Sequence, residues 1–175
     1  MIGLEGKVLE SARLQYRLLE EEDQRALYGL LREDEVTKPA GFLPAKDEAA
    51  FEGFFRSLTQ YGTGIGICLN GTLMGYCHVN PYRPDLPELK GKECVGLGFV
   101  IGREYQQKGF GMEMLEEITH YLLTRFDACF ADCFEENDPS RKTIEKCGYR
   151  FVERYPMYFE ELQEEKNCLS YVKTK

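Results

Sequence analysis

The sequence predicts a mixed α+β domain, with one mixed sheet carrying helices on its faces. Two observations carry this reading. Asn70-Gly71 sits between apolar runs and is the strongest short hairpin signal, because both residues accept positive φ. Farther along, CVGLGFVIGREYQQKGFGMEMLEEITHYLL (Cys94–Leu123) passes from an apolar run through a polar turn and two glycines into an amphipathic helix. Antiparallel hairpins mixed with strand-to-helix units make a mixed sheet. The 175 residues fit one domain over 1–175 with a proper core.

The elements follow in order. Arg13–Leu18 alternates polar and apolar side chains and reads as a half-buried strand. Glu20–Arg32 crowds acids into its first turn and places Leu27, Leu30 and Leu31 on one face, as a helix does. Glu33–Lys46 holds two prolines and a glycine and reads as an irregular loop. Asp47 caps a helix over Glu48–Leu58, with Phe51, Phe54, Phe55 and Leu58 on one side. Gly64–Leu69 and Thr72–Val79 are the hairpin strands, and the proline-rich Asn80–Lys92 is expected to be irregular. Val95–Ile101 is a strand, Gly109–Arg125 a helix and Ala128–Phe134 another strand. Asn137-Asp138-Pro139 opens a short helix, with Asp138 as its cap, and Gly148 ends it. Strands near Tyr149–Tyr158 and Asn167–Lys173 close the chain.

Composition narrows the function. No apolar run approaches the ~20 residues of a membrane span, and the N-terminal segment lacks the apolar core of a signal peptide. A net charge of −8 opposes binding to nucleic-acid backbone. It suits a basic or amine-bearing partner, or solubility alone. The seven cysteines are scattered through apolar contexts with no C-x-x-C pair, and the chain has two histidines. That is not metal-site spacing, and free core cysteines point to a reducing, cytoplasmic setting.

The glycine-bearing strand-to-helix turn is a phosphate cradle. First-turn N–H groups have no partner within a helix, and glycines let a diphosphate approach the main chain. Which phosphate remains to be decided. A dinucleotide fingerprint needs a third glycine where Met114 stands, and it belongs near the first strand. No G-x-x-x-x-G-K-[ST] run exists. The spaced Gly62, Gly64 and Gly66 lead into a strand, not a helix, and read as structural.

What remains is [RQ]-x-x-G-x-[GA] at Gln106–Gly111, followed by Asn137-Asp138-Pro139-Ser140-Arg141 and then Ile144-Glu145-Lys146-Cys147-Gly148-Tyr149. The pair resembles the GNAT family of N-acetyltransferases, and within it the RimJ/RimL-like branch that acetylates ribosomal-protein N-termini. RLLEEEDQRALYGLLREDEVTKPAGF resembles that branch's first helix and loop, so the resemblance spans residue 13 to about 160. It implies a twisted, mostly antiparallel sheet flanked by about four helices, with a V-shaped splay between strands at the acyl-CoA site. Acetyl-CoA is the implied donor, with no metal.

In that arrangement the pantetheine arm pairs with the backbone of Phe99, Val100 and Ile101. The pyrophosphate rests on the segment Gln106, Gln107, Lys108, Gly109, Phe110, Gly111 and Met112. Asn137 resembles the residue that binds the arm, and helix entry is its other reading. Ser140 could approach the sulfur or serve as a second capping hydroxyl, and Arg141 and Lys142 could meet the 3′-phosphate or stay solvated.

The implied reaction is direct attack of a primary amine, on a protein N-terminus or a small molecule, at the acetyl thioester. Only the neutral amine attacks, so a base must take a proton. Glu93 is the expected base, at the opening of the strand that carries the acyl site; the branch often has an acid nearer the strand centre, where Gly96 stands. Ser140 is the expected acid, with Tyr149 and Tyr105 behind it. The alternative function is an acyl-CoA-binding regulatory module with little turnover; a nucleotide domain of dehydrogenase type is a third. The chain is expected to be a monomer or homodimer.

Overall fold

The computed structural model describes residues 4–175; Met1–Gly3, the start of the segment read as lacking a leader, lie outside it. The strands are β1 (Leu9–Glu10), β2 (Leu14–Leu18), β3 (Gly64–Leu69), β4 (Thr72–Tyr82), β5 (Cys94–Ile101), β6 (Ala128–Phe134), β7 (Arg150–Phe159) and β8 (Glu164–Thr174). The helices are α1 (Gln24–Leu30), α2 (Asp34–Thr37), α3 (Glu48–Thr59), α4 (Phe110–Leu123) and α5 (Asp138–Lys146). The sheet has eight strands in the order β1-β2-β3-β4-β5-β6-β8-β7. Every neighbouring pair is antiparallel except β5 and β6.

Strand alternation sends neighbouring side chains to opposite faces. Cys77 and Ile101 pack with Met114, Leu115 and Ile118 of α4 and Ile144 of α5. Their neighbours Tyr76 and Val100 pack with Leu27 of α1 and with Phe51, Phe55 and Leu58 of α3. The sheet thus separates a face covered by α4 and α5 from a face covered by α1 to α3. All seven cysteines are buried and unpaired. Burial pushes the Cys129 thiol up to about 11, which suits a packing role rather than a nucleophile.

The mixed α+β expectation holds, and the differences are local. The segment read as an irregular loop after residue 32 contains α2 and a 3-10 turn over Lys38–Ala40. Gly41 at φ 91 closes that turn. The helix read over Glu20–Arg32 begins instead as a 3-10 turn, Glu21–Asp23. β4 runs on through Asn80-Pro81-Tyr82, read as irregular because of Pro81. Val79 donates its N–H to Thr63 on the β3 side, so Pro81, two residues on, turns its missing N–H to the same side, past the start of β3. The cap of α5 is Asn137, not Asp138: its Oδ1 accepts the Ser140 N–H at 3.2 Å. Asp138 is the first helical residue and Pro139 the second. β1, only two residues long, has no alternating run to announce it.

The first helical turn is held by a charge pair. Asp23 accepts both Arg17 Nη1 and Nη2, at 2.6 and 2.8 Å, and the Glu20 N–H at 2.9 Å. Burial raises its carboxyl pKa, but the Arg17 guanidinium and the Glu20 amide outweigh that and hold it below the usual range. A depressed folded-state pKa contributes stability above the unfolded value, which is lost as pH falls through the folded one. Asp23→Asn is therefore expected to lower the unfolding free energy at pH 7 by about 1–3 kcal/mol. In urea titrations the difference from the unaltered protein should shrink below about pH 4.

Candidate active site

The site begins where β5 and β6 part. They pair only at Cys94, Val95 and Gly96 against Ala128, Cys129 and Phe130. β4 stays with β5 as far as Ile101, and β8 stays with β6 as far as Phe134. Leu97–Ile101 and Ala131–Phe134 therefore face each other across an opening wedge. A cavity of about 990 Å³ fills it. Its lining includes Gln107 and Gly111 on the α4 side, and Phe54 and Tyr76 on the α1–α3 side, so it passes through the sheet.

The wedge exposes backbone groups. Gly102 donates its N–H to the Met74 carbonyl at 2.9 Å, which fixes the alternation along β5. Val100 and Gly98 turn their polar groups to β4, whereas Leu97, Phe99 and Ile101 turn theirs to the wedge. The Ile101 carbonyl accepts the Gln106 side-chain amide at 2.9 Å. Phe99 and the Ile101 N–H are thus placed to pair with an extended ligand. Val100, expected to present its backbone there, presents it to β4.

At the wide end the chain turns through Arg103–Tyr105 into α4. Gln107 and Gly109 take left-handed φ values of 59° and 81° around Lys108, a concave run of N–H groups. Glu113 is the first residue of α4 to donate back, to the Gly109 carbonyl at 3.1 Å. Among the described residues, the N–H groups of Gln107 to Met112 find no acceptor, and the helix dipole adds positive potential. The Lys108 ammonium is tied to the Glu104 carbonyl at 2.7 Å.

Arg13 supports this cradle, and sequence reasoning missed it. It donates to the Lys108 carbonyl, stacks on Phe110 at 4.3 Å, and bonds Glu113 Oε2 at 2.7 Å. Burial raises the Glu113 carboxyl pKa, but the Ser11 hydroxyl, the Arg13 amide and the Arg13 guanidinium hold it below its usual range. A contact between residue 13 and residues about a hundred positions later leaves no local signal.

α5 forms the other wall. Ser140, Lys142, Thr143 and Lys146 line the cavity, and the Ser140 hydroxyl makes no hydrogen bond among the described residues. Arg141 instead pairs with Asp138 and lies outside the lining. Asn137 caps the helix with Oδ1 and donates Nδ2 to the Pro39 carbonyl at 3.3 Å. Its amide therefore links α5 to the far wall.

The α1–α3 face offers aromatic rings and few charges. Phe42 stacks on Phe54, Phe54 meets Tyr76 edge-on, and Tyr76 stacks on His78. Asp132 reaches into the cavity from β6, its oxygens accepting Ser170 Oγ at 2.7 Å and Tyr155 Oη at 2.9 Å. The side chain is open to the cleft yet crowded by protein, which raises its carboxyl pKa.

The expected base does not join this group. Glu93 is exposed ahead of β5, at the closed end where Asp127 and Glu93 bind each other's backbone, and it lies outside the cavity lining. The strand opens at its far end, so the residue before β5 sits at the hinge and not at the gap. Tyr149, named behind Ser140 as an acid, is buried against Thr119 and Cys129 and lies outside the cavity lining. Tyr105 lines the cavity. Among the described residues no cluster of His, Cys, Asp or Glu is arranged to hold a metal ion.

Comparison with known proteins agrees with this geometry. The model of the acetyltransferase (GNAT) domain matches residues 13–150. A search of curated proteins gave no match. Among solved structures, a GNAT-family acetyltransferase from Bacillus anthracis superposes with a TM-score of 0.80 at 20% identity, over 96% of this chain and 98% of that one. A candidate ribosomal-protein-serine acetyltransferase from Vibrio cholerae gives 0.72 at 20%, over 97% and 98%. Spermidine N-acetyltransferase from Vibrio cholerae, in complex with CoA and spermine, gives 0.75 at 15%, over 94% and 96%. With the family match covering most of its length, the chain belongs to the GNAT family and is an acetyl-CoA-dependent N-acetyltransferase.

Proposed function

We propose that this chain moves acetyl from acetyl-CoA to a primary amine by direct attack, the amine entering from the α1–α3 face. One observation carries this reading: the wedge joins an anion cradle on one face of the sheet to an aromatic compartment on the other, within one cavity. A thioester held in the wedge meets donor and acceptor from opposite sides. The cradle N–H groups suit the pyrophosphate, and Lys142 and Lys146 add positive charge to the same cavity lining. The pantetheine arm suits the free backbone groups of Phe99 and the Ile101 N–H, as an added strand would.

The transfer has three demands. The carbonyl oxygen gains negative charge, for which an N–H on the splayed part of β5 is the available donor. The sulfur leaves with its electron pair and needs a proton, which the unpartnered Ser140 hydroxyl can give. The amine arrives as ammonium and must lose a proton before it attacks. The acceptor is an amine carried on an apolar or aromatic body, either a protein N-terminus or a small molecule. Its body would lie on the rings, and its charge would face Asp132.

Free-thiol release from acetyl-CoA over a panel of amines tests the reading. Turnover is expected, and faster with amines bearing aromatic groups than with short aliphatic ones. CoA binding without thiol release for any amine would establish a binding module instead. Ser140→Ala is expected to cut kcat about a hundredfold with CoA affinity retained, since the Ser140 N–H still serves the Asn137 cap. Gly109→Ala, at φ 81°, is expected to cost about 1 kcal/mol of stability. It should also shrink the rise in melting temperature that CoA produces.

A further inference from the structure

The acetyl transfer proposed above needs a group inside the cavity to take the ammonium proton, and Glu93 is not there. We infer that the His78 imidazole is this base, with Nε2 as the accepting atom, and the inference rests on that reading of the site.

Position comes first. His78 lies on β4 directly opposite Gly98 of β5, and β5 has left β6 two residues earlier. The imidazole lies over the Gly98 α-carbon. A Cβ at residue 98 would fall 2.4 Å from His78 Cε1 and 2.7 Å from Nε2. Any side chain there would displace the ring, so the glycine is what lets the imidazole reach across the strand at the mouth of the wedge.

The two ring nitrogens differ. Nδ1 is buried without a hydrogen-bond partner. Nε2 makes no hydrogen bond among the described residues but is not closed off, and His78 lines the cavity. Proton exchange with a bound amine is therefore confined to Nε2. On its other side the ring stacks on Tyr76 at 6.0 Å, the last step of the aromatic file from Phe42. A ligand guided along those rings arrives at the imidazole.

The protonation state also fits. Burial lowers the His78 pKa, which keeps the ring neutral and able to accept a proton at neutral pH. The other titratable groups lining the cavity are Glu35, Tyr105, Asp132, Cys133, Lys142, Lys146, Tyr155 and Cys168, besides Tyr76, and burial pushes both thiols up. Asp132 is the acid on the wedge itself, and both its oxygens already accept hydroxyl protons. The His78 Nε2, by contrast, makes no hydrogen bond among the described residues and is free to accept the proton.

The step balances. An ammonium proton passes to His78 Nε2, and the freed nitrogen lone pair forms the bond to the acetyl carbon. The C–S bond breaks, and the sulfur keeps the pair and takes a proton from Ser140 or water. The nitrogen's second proton and that of His78 pass to solvent or back to Ser140. The products are the amide, the CoA thiol and one proton.

The test compares the unaltered protein with His78→Gln, His78→Ala, Gly98→Ala and Asp132→Asn, using acetyl-CoA and an amine that turns over. For His78→Gln, kcat/KM for the amine at pH 7 is expected to fall at least about a hundredfold, with CoA affinity within twofold. The histidine limb of the pH profile should disappear, leaving a rate that climbs with pH towards the amine's own pKa. Added imidazole should restore His78→Ala. Gly98→Ala should reproduce the loss with CoA binding retained, at some cost in melting temperature as the ring is displaced. A His78→Gln enzyme with the original rate and limb overturns the inference. So does loss of the limb in Asp132→Asn alone, or a His78→Ala loss that imidazole does not repair. Absence of thiol release from the unaltered chain overturns the acetyl-transfer reading together with the inference, whereas failure of the variants alone leaves that reading standing.

Discussion

Three residue pairs between β5 and β6 are the constraint on which the rest depends. Parallel pairing there stops because each strand is held by its outer partner, β4 for one and β8 for the other, along its full length. Sheet twist then carries the two apart. The features of the candidate site use the resulting gap: the free backbone groups of Phe99 and the Ile101 N–H, the cavity through the sheet, and the approach of α5 to the wedge. Longer pairing would satisfy those backbone groups and close the cavity.

The chain leaves polar groups unsatisfied at the places where a ligand is to supply the partner. N–H groups without a protein acceptor are left to solvent or to a ligand. At the start of α4 they accumulate between Gln107 and Met112, and the surrounding contacts hold them in place. Arg13 and Glu113 anchor the turn from β2, and Gln106 fastens it to the end of β5. The turn is thus fastened from outside by side chains while its own N–H groups stay open.

Local chemistry made much of this legible in the sequence. Asn70-Gly71, the Asp47 cap and Gly109 each act within a few residues, and the structure places a hairpin, a helix start and a left-handed turn at those positions. Cradle and family could be read because a strand, glycines and a helix follow one another directly. What lay hidden depends on residues distant in sequence. Pro81 is tolerated in a strand only because β3 has already ended. Glu93 looked well placed because sequence tells which strand it precedes, not which end of that strand opens. In the sequence His78 is one residue of the hairpin strand Thr72–Val79, since nothing near it reports that Gly98 lies opposite.

Asn137 gives the site a mechanical property. One half of its amide caps α5, and the other half reaches the Pro39 carbonyl of the Lys38–Ala40 turn. The two bonds use different atoms, so either can be exchanged while the other stays. A ligand carbonyl that captures Nδ2 would release the Lys38–Ala40 turn, with the helix that carries Ser140 still capped. The side chain then acts as a latch with independent halves: exchanging the Nδ2 bond frees the Lys38–Ala40 turn and leaves the cap of α5 in place.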